Sequence, residues 1–499
     1  MKIEEILKAY RENEAWLSVV EEVKQDKGGK YQLKGLAGSQ LAFLVASSFR
    51  EMQRNMMVVL DDKEEALYLQ NDLQALMPKK EIFLFPASYK RPYQVEEIDN
   101  ANVLMRAEVL NELNHTRTGR QLILTFAEAL QDKVVNKRSL VKNTLELKQG
   151  ENCGMEFVIE VLEEYGFERE EFVYEPGQFA IRGGILDVFS FAHDLPYRIE
   201  FFGEEVESIR TFDPVEQTSL EHISRVSLIP NIQRNLLTEE KVGLLEYISD
   251  TTLVWLKNKE FVMADLDRLF DKASQQYEKL IEESGGAAAS LSPETLYVRG
   301  PEFEKELNNF SVFDLGSKAS FSNVKKVIEW KGTAQPAFHK EFSLLASHLK
   351  ENLEKEYVNY VLSDTPKQIT RLEEIFQEVD EGVAFHGILG ELHAGFSDHQ
   401  LKISCYTDHQ IFDRYHRYKS KSHTKRSQAL TLKELKDLNP RDYVVHVHHG
   451  IGQFAGLHTI DVGEHRQEAV KIIYKGGDSI FVNVNSLHKI SKFTGMDGT

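Results

Sequence analysis

The chain has 499 residues, too many for one hydrophobic core, and its length suggests roughly three to five domains. Its composition is 41% hydrophobic and 28% charged, which suits several globular cores, and no apolar run reaches the roughly 18 residues of a membrane span. A net charge of −19 argues against coating nucleic acid with the whole surface and favours protein partners.

The N-terminal stretch MKIEEILKAYRENEAW is charged and helix-like, without an apolar signal core, so cytoplasmic residence is expected. Cys153 and Cys405 lie far apart with no paired motif, so neither a disulfide framework nor a metal site is encoded. Roughly the first 150 residues alternate strand-like and helix-like patterns: strands at 31–34, 56–60, 81–85 and 121–125, and helices from about Ser39 and through Ala66, Leu69, Leu73, Leu76 and Met77. This predicts a parallel α/β sheet.

The turn after the first strand is the strongest catalytic lead. Residues 35–42 read GLAGSQLA and lay position for position on GxxGxGKT, with Gly35, Gly38 and Ser39 in place. A working phosphate loop needs a Lys on the β/γ-phosphates and a hydroxyl on Mg²⁺. Here those positions hold Leu41 and Ala42, and Gln40 replaces the last glycine. The glycines are therefore expected to serve a tight turn, with no cofactor bound and no catalytic residue. Asp61 and Asp62 follow a strand in the manner of a Mg²⁺-binding carboxylate, but an N-cap with Glu64 and Glu65 in the first turn is the expected role.

Residues 121–212 are expected to form an inserted β module. Alternation over 185–189 and 197–201 suits half-buried strands, placing Arg198 and Glu200 on one face and Tyr197, Ile199 and Phe201 on the other. The patterns PGxFAxRGGIxDxF and PxRIEFFGxExESIRxFDP within 174–214 resemble the UvrA-binding module shared by UvrB and the bacterial transcription-repair coupling factors, Mfd. That resemblance implies UvrA as a partner, with Arg182, Arg198, Glu200 and Phe202 as contacts. It also implies a degenerate P-loop, RecA-like UvrB-homology domain at 1–120 and 213–340, with the module inserted into it. UvrB keeps its ATP site; the coupling factors have lost it.

Residues 264–283 are a long amphipathic helix candidate, and 341–412 read as a small α/β domain with helices at 342–353 and 366–379 and strands at 357–362 and 401–406. The stretch 414–426, RYHRYKSKSHTKR, reverses the overall charge with Arg414, Arg417, Lys419, Lys421, Lys425 and Arg426. It reads as a solvated linker, spanning 413–437 and open to contact with nucleic acid.

Residues 438–494 then carry five short strand patterns, expected to close as an SH3-like barrel of the CarD/Tudor type. The strings VHxxHGIGxFxGL and KIIYxGGDxxFVxVxxLHxIxxF resemble the RNA polymerase interaction domain of Mfd. By that resemblance Ala469, Val470, Lys471 and Ile472 contact the polymerase β subunit along an open edge strand, with Val470 facing outward.

Together these resemblances imply a cytoplasmic, monomeric N-terminal adaptor of the coupling-factor family, recruiting UvrA to stalled polymerase for nucleotide excision repair. An ATP- and Mg²⁺-dependent DNA translocase motor is expected beyond it, as is most DNA contact. Two other readings are weaker. An ATP-dependent enzyme lacks the loop cation, and a UvrB-like damage clamp lacks an apolar β-hairpin, since residues 84–100 read LFPASYKRPYQVEEIDN.

Overall fold

Apolar runs without polar alternation, such as MMVVL, LILTF and LVWL, are the pattern of strands covered on both faces, and all three are wholly buried. The computed structural model describes residues 2–492 apart from 53, 89–92, 94–99, 115–119, 192, 194, 215, 231–239, 285–291, 317, 380–381, 415–437, 439, 447–448, 463–464, 476 and 484–489. The chain divides into two units, residues 1–212 with 219–419, and residues 213–218 with 420–499.

The first unit is built on a seven-stranded sheet in the order Val324–Glu329, Lys30–Lys34, Ser311–Asp314, Leu253–Leu256, Met56–Leu60, Leu122–Phe126, Phe83–Leu84. Every neighbouring pair is parallel. The segment after the module thus supplies three of the strands. Helices cover the sheet because parallel crossovers place them there. In Lys63–Leu76 the Asp62 side chain accepts from Glu65 N at 2.9 Å, and Ala66, Leu69, Leu73 and Leu76 are buried against the sheet. Each such fully buried Leu contributes about 1.5–3 kcal/mol.

The β module begins later than residue 121. Leu122–Phe126 pairs with Met56–Leu60 and belongs to the parallel sheet, while the module spans Leu145–Lys148 to Arg225–Leu228, which pair antiparallel. Its six-stranded sheet runs Ser219–Ile223, Glu205–Phe212, Tyr197–Phe202, Ile185–Val188, Gln178–Arg182, Glu168–Arg169. Tyr197, Ile199 and Phe201 point into a core with Val158 and Leu162 of the helix Met155–Glu164.

A third part starts at residue 332, ahead of the expected 341, because Gly332–Ala334 is an edge strand of its sheet. The order is Gly332–Ala334, Phe396–Asp398, Ile403–Thr407, Val358–Ser363, His386–Leu389. One face packs on the helices Phe342–Glu354 and Pro366–Val379 through Val361, Leu345, Leu372 and Phe376. The other face, with Tyr360, Leu362, Phe396 and Cys405, joins the large core that includes Tyr10 and Phe43.

The second unit contains a five-stranded antiparallel sheet in the order Ser479–Asn483, His465–Ile473, Gly450–Val462, Tyr443–His446, Ile490–Lys492. Leu438, Val444, Phe454, Val470, Ile472, Val482 and Ile490 form its core. Among the described residues no helix is long and apolar enough to cross a membrane.

Candidate functional site

Four places carry the sequence candidates: the glycine loop, the outer face of the module sheet, the small β domain and the basic stretch at 414–426. The glycine loop joins Lys30–Lys34 to the helix Gln40–Glu51, with Gly35 at φ 75° and Gly38 at φ 50°, a region that strains other residues. Ser39 and Gln40 are buried rather than open to solvent. Leu41 packs half-buried against the large core and Ala42 lies wholly inside it, so the two positions that would serve phosphate and Mg²⁺ serve packing. Asp62 caps its helix as expected, and Asp61 pairs with Lys257 at 3.2 Å, where Glu65 also meets the ammonium group. A carboxylate neutralised by a lysine is a poor metal ligand.

In the module, alternation places Arg198, Glu200 and Phe202 on the face opposite the core. The neighbouring strands bring Asp187 opposite Arg198, and Ser208 opposite Glu200. Arg198 donates from Nε and Nη2 to the two Asp187 oxygens at 2.8 Å each, and Arg182 pairs with the same carboxylate. Asp187 is only 1% exposed. Each guanidinium also lies over a ring, Arg198 at 4.6 Å from Phe212 and Arg182 at 5.1 Å from Phe172.

Hydrogen bonding to Asp187 raises Arg198 above its usual range. Glu200 accepts from Ser208 Oγ at 2.7 Å and pairs with Arg210; the hydroxyl and the guanidinium hold its carboxyl below the usual range. Arg198 is thus a held fork, its side chain 15% exposed, against 37% for Arg182. Phe202 differs in kind. It is 78% exposed at a hairpin end, a large apolar group with no packing role on its own sheet. Asp187 was the residue that sequence reasoning passed over, although alternation already put it on the Arg198 face.

In the small β domain the expected edge is an interior strand. His465–Ile473 pairs on both sides, with Gly450–Val462 and with Ser479–Asn483, so its ladder groups are spent. Val470 and Ile472 point into the core and Ala469 is buried, so Val470 does not face outward; Lys471 alone of the four lies on the exposed side. Cross-strand register puts Tyr443, Ile451, Ile473 and Phe481 on that side too, between 37% and 54% exposed. Lys471 Nζ sits 5.5 Å from the Phe481 ring. An apolar face of this kind, around one cation, has the composition of a protein-binding surface.

Of the basic stretch, Arg414 pairs with Asp408 at 2.9 Å and lies over Phe412. Arg417, Lys419, Lys421, Lys425 and Arg426 lie outside the described residues.

Two family models match the same two β-rich regions. The family model described as the UvrB interaction domain matches residues 145–233, and that of the CarD-like/TRCF RID domain matches residues 438–494. The transcription-repair-coupling factor of Bacillus subtilis (strain 168) is 25% identical, over 93% of this chain and 45% of its own length. Those of Staphylococcus aureus strains bovine RF122 / ET3-1 and USA300 are each 22% identical, over 92% of this chain and 45% of theirs.

The chain is similar to transcription-repair-coupling factors along nearly its whole length. It spans about 45% of the length of the curated relatives it matches. The first family match opens at the strand Leu145–Lys148, where the module sheet work begins, and the second opens at Leu438, the first core residue of the small β domain.

Proposed function

We propose that the chain is an adaptor of the transcription-repair-coupling factor family, with UvrA bound by the module at 145–233 and RNA polymerase, through its β subunit, by the domain at 438–494. The supporting observation is that both matched interaction domains present exposed apolar side chains on the face away from their cores: Phe202 in the first, Ile451 and Phe481 in the second. An adaptor of this kind brings excision repair to a stalled polymerase in the cytoplasm. Monomeric action fits it, since the surfaces take different partners. With immobilised chain, purified UvrA and polymerase β lobe are expected to be retained together in one washed complex. Mutual exclusion, or retention of neither, would remove the adaptor reading.

The adaptor needs no chemistry of its own, and we assign no catalytic residue. In a whole factor, ATP-driven translocation would supply the displacement of polymerase and most contact with DNA. For the glycine loop we propose a lost nucleotide site, supported by the packing of Leu41 and Ala42 and the burial of Ser39. Filter binding with labelled ATP and Mg²⁺ at millimolar concentration is expected to show no saturable retention by this chain. Saturable retention would restore a working site.

A further inference from the structure

The mouth of the glycine loop is filled by the chain itself. Ser39 N donates to Ala394 O at 3.0 Å, and Ala394 N donates back to Ser39 Oγ at 3.0 Å. From the helix beyond, Asp72 Oδ1 accepts from His393 N at 2.6 Å, and burial pushes this carboxyl up to about 7. A Cβ on Gly38 would fall 2.5 Å from the Gly395 carbonyl oxygen, so the two backbones touch there.

Deeper in the same contact lies Asp398, wholly buried. Its Oδ2 accepts from Trp330 Nε1 at 2.6 Å, Tyr10 Oη at 2.8 Å and Gln40 Nε2 at 3.0 Å. Its Oδ1 accepts from Gln400 N at 3.0 Å and Leu401 N at 2.9 Å. Burial pushes the Tyr10 phenol far above its usual range, which keeps it a donor. Every partner donates, so the position needs a side chain that only accepts.

We propose that residues 392–398 are a built-in ligand of the glycine loop, taking the place a phosphate group would fill and fixing the third part of the fold on the parallel sheet. The residues that separate this loop from a working one then have a use. Gln40, standing for the last glycine, accepts from Ala37 N at 2.8 Å through Oε1 and reaches Asp398 through Nε2. It fits because residue 332 has no side chain: a Cβ there would lie 1.8 Å from Gln40 Oε1. Leu41 and Ala42 complete the core beneath. The loop has become a joint, and residues 332–412, to which no chemistry falls, have a role in it.

Hydrogen exchange of the full chain, read by mass spectrometry, tests this with Asp398→Asn and Ser39→Ala. An Asn at 398 turns its amide toward donors whichever way it flips, and Ser39→Ala removes the acceptor of Ala394 N together with the hydroxyl that donates to Asp72. Amides in 35–42 and 392–401 are expected to exchange at least tenfold faster in Asp398→Asn and about threefold faster in Ser39→Ala, with Met56–Leu60 and Leu253–Leu256 unchanged. Equal acceleration across the central strands would make Asp398 an ordinary core residue, and no acceleration in either segment would remove the joint; both outcomes overturn the proposal. If Asp398→Asn fails to fold, the local or absent response of Ser39→Ala decides it.

Discussion

Phe202→Ala is expected to weaken UvrA binding by about 2 kcal/mol or more, some thirtyfold in affinity, while the unfolding midpoint stays where it is. The side chain is 78% exposed and holds nothing in its own sheet, so truncation removes an anchor without removing a support. Arg198→Ala is expected to behave differently, although the family resemblance places both residues in one surface. Removing that guanidinium leaves Asp187, 1% exposed, with Arg182 as its charged partner and strips the stacking on Phe212. A loss of roughly 1–3 kcal/mol of stability follows from the under-satisfied carboxylate, before any partner is added. Titration calorimetry with UvrA, beside thermal unfolding of the same samples, separates the two effects. Wild-type affinity in a folded Phe202→Ala chain would remove Phe202 from the interface, and an unchanged midpoint in Arg198→Ala would show that Asp187 is content with one arginine.

What could be read in the sequence was what neighbouring residues decide. The Asp62 cap needs only Glu65 N three residues on, and the split of Tyr197, Ile199 and Phe201 from Arg198 and Glu200 follows from the period of a strand. The parallel sheet was legible because its strands are uniformly apolar runs set between helical patterns. Pairing was harder. Leu122–Phe126 reads as a strand of the parallel sheet from its residues, but where the module opens depends on Leu145–Lys148 pairing with the distant Arg225–Leu228, and so the module boundary was set too early. The Asp398 hub was out of reach for the same reason, since its donors come from residues 10, 40 and 330. Edge or interior is also a property of the whole sheet: Ala469 to Ile472 has the composition of either, and only the flanking strands decide which it is.

That correction reverses the expected result for the polymerase surface. Val470→Arg places a charge in a core made of Val444, Phe454, Ile472, Val482 and Ile490, where nothing pairs with it. A cost of about 3–5 kcal/mol is comparable with the whole stability of a small domain, so this variant is expected to lose its fold and, with it, the polymerase β lobe. The informative changes lie one residue out of phase, on the exposed face. Phe481, 46% exposed beside Lys471, and Ile451, 52% exposed, offer apolar area without serving the core. Phe481→Ala with Ile451→Arg is expected to keep the β signature in circular dichroism and to cut β-lobe retention by at least thirtyfold, about 2 kcal/mol or more, because one change removes an aromatic anchor and the other sets an unpaired cation against the partner. A folded double variant that retains the lobe as wild type does would move the polymerase surface off this face, leaving the basic stretch at 414–426 as the next place to substitute.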